Sequence, residues 1–138
     1  MAASDNLAIV TGTLGKDPEL KYTGSGTAVT TFSLATNRKW KKNDEWQEET
    51  VWHNIVVWGE LGEHVAQSLL KGNRATVTGR ISNRSYDDRE GNKKYISEII
   101  ADSVGAELRF ATAEVERIER AKAGQGEYQN AAPAEDPF

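Results

Sequence analysis

Polar and apolar residues alternate along the first hundred positions with the period of a pleated strand, most plainly over residues 74–82. Ala75, Val77, Gly79 and Ile81 fall on one face and Arg74, Thr76, Thr78 and Arg80 on the other, which predicts a half-buried strand. Carried forward, the even positions put Arg84 and Tyr86 on the same outward face. The run Asp87-Asp88-Arg89-Glu90-Gly91-Asn92 predicts a turn, after which residues 93–101 return as a second strand. Residues 51–58 have the β-branched content of a strand, with Val51, His53, Ile55 and Val57 on one face and Trp52, Asn54, Val56 and Trp58 on the other. At the usual rise per strand residue, Trp52 and Trp58 stand roughly 20 Å apart on one side. Residues 28–36, with Phe32 and Leu34 inward, and residues 7–14 read as two further strands. The stretch from 37 to 50 is expected to be a charged loop, basic in its first half and acidic at Asp44, Glu45, Glu48 and Glu49, long enough for a functional arm.

One segment changes period. Over residues 59–71, Leu61, Val65 and Leu69 recur at helical spacing, with Glu60 and Glu63 near the start, Lys71 at the end and Gly72 as the stop. Three strands, a helix and two strands make an all-β domain with one helix, in the order expected of the five-stranded Greek-key barrel called the OB-fold. A further β-like run over 106–112 is expected to add an extra C-terminal strand. Residues 1–113 then form one domain and residues 114–138 a flexible acidic tail. Within that tail, residues 115–122 read as a frayed helix or an extended arm, and residues 124–133 carry too little apolar content to fold and are expected to be disordered.

Composition narrows the chemistry. A chain of 138 residues without cysteine has no disulfide scaffold, no thiol catalysis and no cysteine zinc site, and suits a reducing cytoplasm. No apolar run reaches the roughly 20 residues needed to cross a bilayer, and the start of the chain shows no secretion signal. The net charge of −4 is unevenly spread. Residues 1–110 hold 14 Lys and Arg against 15 Asp and Glu, whereas residues 111–138 hold 3 against 6, so the body is nearly neutral. What matters in the body is which face carries which sign.

Aromatic rings beside cations supply the candidate chemistry. Arg38-Lys39-Trp40-Lys41-Lys42, Trp52, Trp58 and Arg80-x-x-x-Arg84-Ser85-Tyr86 set rings and basic heads on expected outward faces. Unpaired nucleic acid is gripped in this way, because every base offers a π-face and every linkage a phosphate. The competing reading of a tryptophan in a strand is core packing; here the rings stand opposite aliphatic faces and next to Lys and Arg. Trp46, in the acidic half of the loop, reads as packing or an inert loop residue. Gly12-x-x-Gly15-Lys16 departs from the phosphate-loop pattern, since Val10 replaces the first glycine and Asp17 follows the lysine. His53 and His64 lie on different elements with no ligand partner at metal spacing, so no metal and no cofactor are expected. Asp87 and Asp88 could hold a divalent ion in a nuclease, but a solvated turn accounts for them.

Assembled in order, the residues resemble the bacterial single-stranded DNA-binding proteins over about residues 6–112. Gly12-Thr13-Leu14-Gly15-Lys16-Asp17-Pro18-Glu19-Leu20-Lys21-Tyr22, Phe32-Ser33-Leu34-Ala35-Thr36, Trp52-His53, Trp58-Gly59 and Lys71-Gly72 carry the likeness. Ser103 through Ala113 is similar to the actinobacterial branch. The resemblance implies a non-enzymatic protein that coats and protects exposed single strands in DNA replication, repair and recombination without strong sequence preference. It implies stacking on Trp40, Trp52, Trp58 and Tyr86, with Tyr22 as a weaker platform. Phosphates would be held by Arg38, Lys39, Lys41, Lys42, Arg74, Arg80, Arg84, Lys93 and Lys94. It further implies a cytoplasmic, nucleoid-associated homotetramer built as a dimer of dimers. His53 would lie near a subunit contact, and Leu108 and Phe110 in a strand that clamps subunits. Glu135, Asp136, Pro137 and Phe138 would form a tip that recruits replication and repair proteins. Two departures stand out: a short linker with only two acids, Asp136 lying directly before Pro137, which suits a specialised copy; and Glu60, where relatives often carry a base. The alternatives from other classes are an OB-fold nuclease and a protein-docking module of a replication-restart assembly.

Overall fold

The computed structural model describes residues 4–119. Seven elements follow one another: β1 Ala8–Leu14, β2 Glu19–Tyr22, β3 Ala28–Lys42, β4 Glu45–Trp58, α1 Glu60–Ser68, β5 Arg74–Asp87 and β6 Lys93–Ala106. β1 pairs with β5, β5 with β6, β6 with β4, β4 with β3, and β3 returns to β1 through Thr13↔Ala35 and Leu14↔Leu34. Five strands thus close on themselves with every contact antiparallel except β4–β6, which is the OB-fold barrel. The chain supplies four strands before the helix, where three were expected. The additional one is β2, which continues along the β3 edge that β1 leaves.

The inward rows form the core. Phe32↔Ile55↔Ile99 lie in register across β3, β4 and β6, and Leu14, Leu34, Val57, Ala75 and Val77 are buried with them. Helix α1 covers one end with Val65, and Leu69 follows it inward. Thr30 is buried, and its hydroxyl donates to the Gly62 carbonyl at 2.7 Å, tying the helix to β3. Ile81 shares the core face, as the alternation predicts, yet is 47% exposed. β1 ends at Ala8 opposite Gly79, so no strand lies over Ile81 beyond the barrel rim.

The helix stops earlier than its period suggests. Leu69 takes an extended backbone, and the amides that a longer helix would satisfy find other acceptors. Leu70 N–H donates to Asn73 Oδ1, Lys71 N–H to Asp17 Oδ1 at 2.8 Å, and Gly72 N–H to the Leu14 carbonyl. Asp17 therefore ties the β1–β2 turn to the end of the helix.

The expected loop from 37 to 50 is a two-stranded ribbon. β3 and β4 stay paired out to Lys42↔Glu45, joined by Asn43 and Asp44, whose φ values of 51° and 64° make a two-residue turn. Its basic and acidic halves face each other across the ladder, Arg38 opposite Glu49 and Lys39 opposite Glu48, and opposite charges at facing positions favour pairing over a loop.

The expected strand over 106–112 is absent: β6 runs to Ala106 and residues 107–119 carry no helix or strand. Side-chain anchoring replaces a ladder there. Arg74 Nε donates to Glu107 Oε1 at 2.7 Å, and its guanidinium lies 5.5 Å from the Phe110 ring centroid. The Arg74 hydrogen bond, first among several causes, lowers the Glu107 carboxyl pKa, so this tie is complete at neutral pH and is lost as pH falls through the lowered value. Glu107 Oε2 also accepts the Arg109 amide at 2.7 Å. Amide exchange followed by NMR should show Arg109 protected at neutral pH and unprotected both at acid pH and in Arg74→Ala; equal protection in all three conditions would refute the tie.

Candidate nucleic-acid interface

Strand alternation sorts the candidate residues onto two surfaces. One printed row crosses five strands, Glu19↔Thr31↔Val56↔Ile100↔Arg80, and the next runs Ser33↔Asn54↔Glu98↔Ser82. Both rows point outward, since the row between them is the core row of Phe32, Ile55 and Ile99. The flanking positions of the same face are Trp58, opposite Val29, and Trp52, opposite Ala35. On β5 the face continues through Arg84 and Tyr86, opposite Ile96 and Lys94. The surface therefore has a floor of small and aliphatic residues, rings at both ends of its β4 edge, and basic heads along β5.

Each part is held by a neighbour. Arg84 makes a two-point contact with Glu98, Nε to Oε1 at 3.0 Å and Nη2 to Oε2 at 3.4 Å, while most of its side chain stays exposed. Glu98 is nearly buried, so the arginine is set in place and its charge balanced at the floor. An open groove of about 270 Å³ crosses this face, lined among others by Lys16, Thr31, Ser33, Asn54, Val56 and Arg84. The Trp52 ring lies against Gly15: a β-carbon there would come within 2.5 Å of Cζ3 and 2.8 Å of Cη2. Trp52 and Trp58 are 58% and 48% exposed, enough to offer a ring face outward.

Other candidates lie elsewhere. Tyr22 pairs with Ala28 on the opposite face of the sheet, and its hydroxyl donates to Glu63 on the helix at 2.8 Å, a bond that raises the phenol pKa. Trp40 is half-buried on the reverse side of the ribbon, with Arg38 stacked at 4.3 Å from its centroid. Lys42 shares that reverse side, whereas Lys39 and Lys41 share the side of Trp52. Lys93 opposes Asp87 and points away from Lys94, which opposes Tyr86 and lies 3.9 Å from Asp88. Arg74 is on the far wall of the barrel, beside Thr76 and Thr11 and engaged with Glu107. His53 is half-buried and hydrogen-bonded to Thr36 at 3.0 Å. Leu108 and Phe110 are exposed. Glu135, Asp136, Pro137 and Phe138 lie outside the described residues.

Sequence reasoning missed three contributors. Lys16 enters the groove from the turn rejected as a phosphate loop, Gly15 supports Trp52, and Glu98 orients Arg84. Gly15 alone left a signal, as a glycine where a ring needs close approach.

The sequence model of the single-strand binding protein family matches residues 5–107. The chain belongs to that family. Among its relatives, the single-stranded DNA-binding protein of Paenarthrobacter aurescens is 36% identical over 121 residues, covering 86% of this chain and 71% of the relative. The protein of the same name from Mycobacterium tuberculosis is 38% identical, over 96% of this chain and 82% of the relative. For the one from Corynebacterium glutamicum the figures are 42% identity, 87% of this chain and 55% of the relative, so the chain spans about half of that protein. A solved structure described as the Plasmodium falciparum SSB complex with ssDNA superposes with a TM-score of 0.69 at 33% identity, covering 76% of this chain and 95% of the other. Among the described residues no group of three or more His, Cys, Asp or Glu is placed to hold a metal ion, and no helix is long and apolar enough to cross a membrane.

Proposed function

We propose that this chain binds single-stranded DNA without sequence preference, coating and protecting unpaired strands during replication, repair and recombination. The observation that carries the reading is the outward face on which Trp52, Trp58, Tyr86, Arg80 and Arg84 share one register across β4, β6 and β5. Rings give stacking that any base satisfies, and Arg80, Arg84, Lys94 and Lys16 give phosphate contacts. Membership of the family and the likeness to an SSB solved with single-stranded DNA support the same ligand.

On this reading the protein is a binder and not an enzyme, and it works in the cytoplasm at the nucleoid. It assembles as a homotetramer, a dimer of dimers, with His53 near one contact and Leu108 and Phe110 available to another. Residues 1–113 form the binding and oligomerisation domain and residues 114–138 a tail whose tip, Glu135 to Phe138, recruits replication and repair proteins. Its family relationship supports these assignments.

Titration with oligo-dT while following tryptophan fluorescence tests the reading. Quenching should saturate at a fixed nucleotide ratio, and log affinity should fall with log salt by about 0.7 for each phosphate neutralised. Preference for duplex over a matched single strand would overturn it; partner capture with negligible DNA affinity would favour the protein-docking alternative.

A further inference from the structure

Trp46 repeats a spacing. Trp46, Trp52 and Trp58 stand six residues apart on β4, and an even interval in a strand returns to the same side. The pairings Lys41↔Trp46, Ala35↔Trp52 and Val29↔Trp58 carry that side of the ladder from the ribbon tip to the barrel without a register shift. At about 3.3 Å per residue the three rings mark a line roughly 40 Å long.

Trp46 is 70% exposed, more than Trp52 or Trp58. The ribbon beyond the barrel offers it no core, while Trp40 on the reverse side is half-buried under Arg38. Lys41 Nζ lies 5.5 Å from the Trp46 centroid, so a cation accompanies the ring as Arg84 accompanies Tyr86 along β5. The two-residue turn at Asn43 and Asp44 holds the tip by ladder bonds, which fixes the ring's side. Between Trp46 and Trp52 the same side carries Lys39 opposite Glu48 and Asn37 opposite Thr50, a stretch balanced in charge. Only Lys41 adds a positive charge unmatched by its facing residue, and it does so beside the ring.

We propose that Trp46 and Lys41 form a third single-stranded DNA contact, in which a base stacks on the indole and a phosphate meets the ammonium. The contact extends the path from the barrel face along the β3–β4 ribbon. The inference rests on the single-strand binding reading, and continuity with that face selects DNA over a second copy of the chain as the occupant.

The test uses the full chain and its Trp46→Ala and Trp46→Phe variants, titrated with an oligo-dT series from lengths that span Trp52 and Trp58 to lengths that reach the tip. Trp46→Ala should leave affinity for the shortest ligands unchanged and weaken that for the longest by about 5- to 100-fold, the range of one stacked base. Trp46→Phe should recover most of the loss, and the saturating nucleotide ratio should shrink in the alanine variant. Identical titrations for wild type and Trp46→Ala at every length would overturn the proposal. So would a change in the mass of the DNA-free protein by light scattering, which would make the tip a subunit contact. Failure of the wild type to bind any oligo-dT would instead remove the single-strand binding reading itself.

Discussion

Replacing Trp52 and Trp58 together by alanine is expected to weaken oligo-dT binding by about 2–6 kcal/mol, since each stacked base contributes about 1–3 kcal/mol. That corresponds to roughly 30-fold to 20,000-fold in dissociation constant, at about 1.4 kcal/mol per decade. The fold should survive, because both rings are largely exposed and the core is built from other residues, Phe32, Leu34, Ile55, Val57 and Val77 among them. Fluorescence anisotropy of labelled oligo-dT measures the first effect and thermal unfolding the second. A collapse of the unfolding midpoint with little specific loss of affinity would mean that the tryptophans are structural. The salt slope should stay nearly unchanged in the variant, because the phosphate contacts remain; a slope that fell with the affinity would tie the rings to phosphate rather than to bases.

Gly15→Ala should remove most of the Trp52 contribution without touching Trp52 itself. Gly15 has no left-handed backbone requirement, so alanine is conformationally acceptable there, and the obstacle is the indole at 2.5 Å from the new methyl. A ring on two torsions yields more readily than the β1–β2 turn, whose Asp17 is tied to the Lys71 amide. Trp52 is therefore expected to swing off its seat. Affinity should fall by up to the full cost of Trp52→Ala, about 1–3 kcal/mol, with a shift in tryptophan emission before DNA is added. A double-mutant cycle decides the matter: in a Trp52→Ala background, Gly15→Ala should cost nothing further. Additive losses would show that Gly15 acts on DNA or on the fold directly.

Much of this architecture can be read along the chain, and the failures have identifiable causes. The alternation over residues 51–58 and 74–82 places Trp52, Trp58, Arg80 and Arg84 outward because side-chain direction follows from strand period alone. The same rule applied from Trp52 back to Trp46 reaches the ribbon tip, but only if residues 37–50 are strand. Their run of charge conceals that, since each half looks like a loop until it is paired with the other. Helix length was overread because Leu69 and Lys71 keep the helical spacing while their backbone leaves it. The amides of Leu70, Lys71 and Gly72 are met by Asn73, Asp17 and Leu14, two of them distant in sequence. The strand expected over 106–112 had β-prone residues but no free edge to pair with, and Arg74 holds the segment by side chains instead.

Local pattern determined which residues form strands, which face of each is apolar, and that rings and basic heads lie opposite that face, because these follow from the two-residue period and residue chemistry. Tertiary structure decided which outward faces join into one surface. It put Tyr22 against the helix, Trp40 behind the ribbon and Arg74 on the far wall. It also brought Lys16, Gly15 and Glu98 to the groove. Register between strands distant in sequence sets these neighbours, and it depends on closure of the barrel rather than on any single segment.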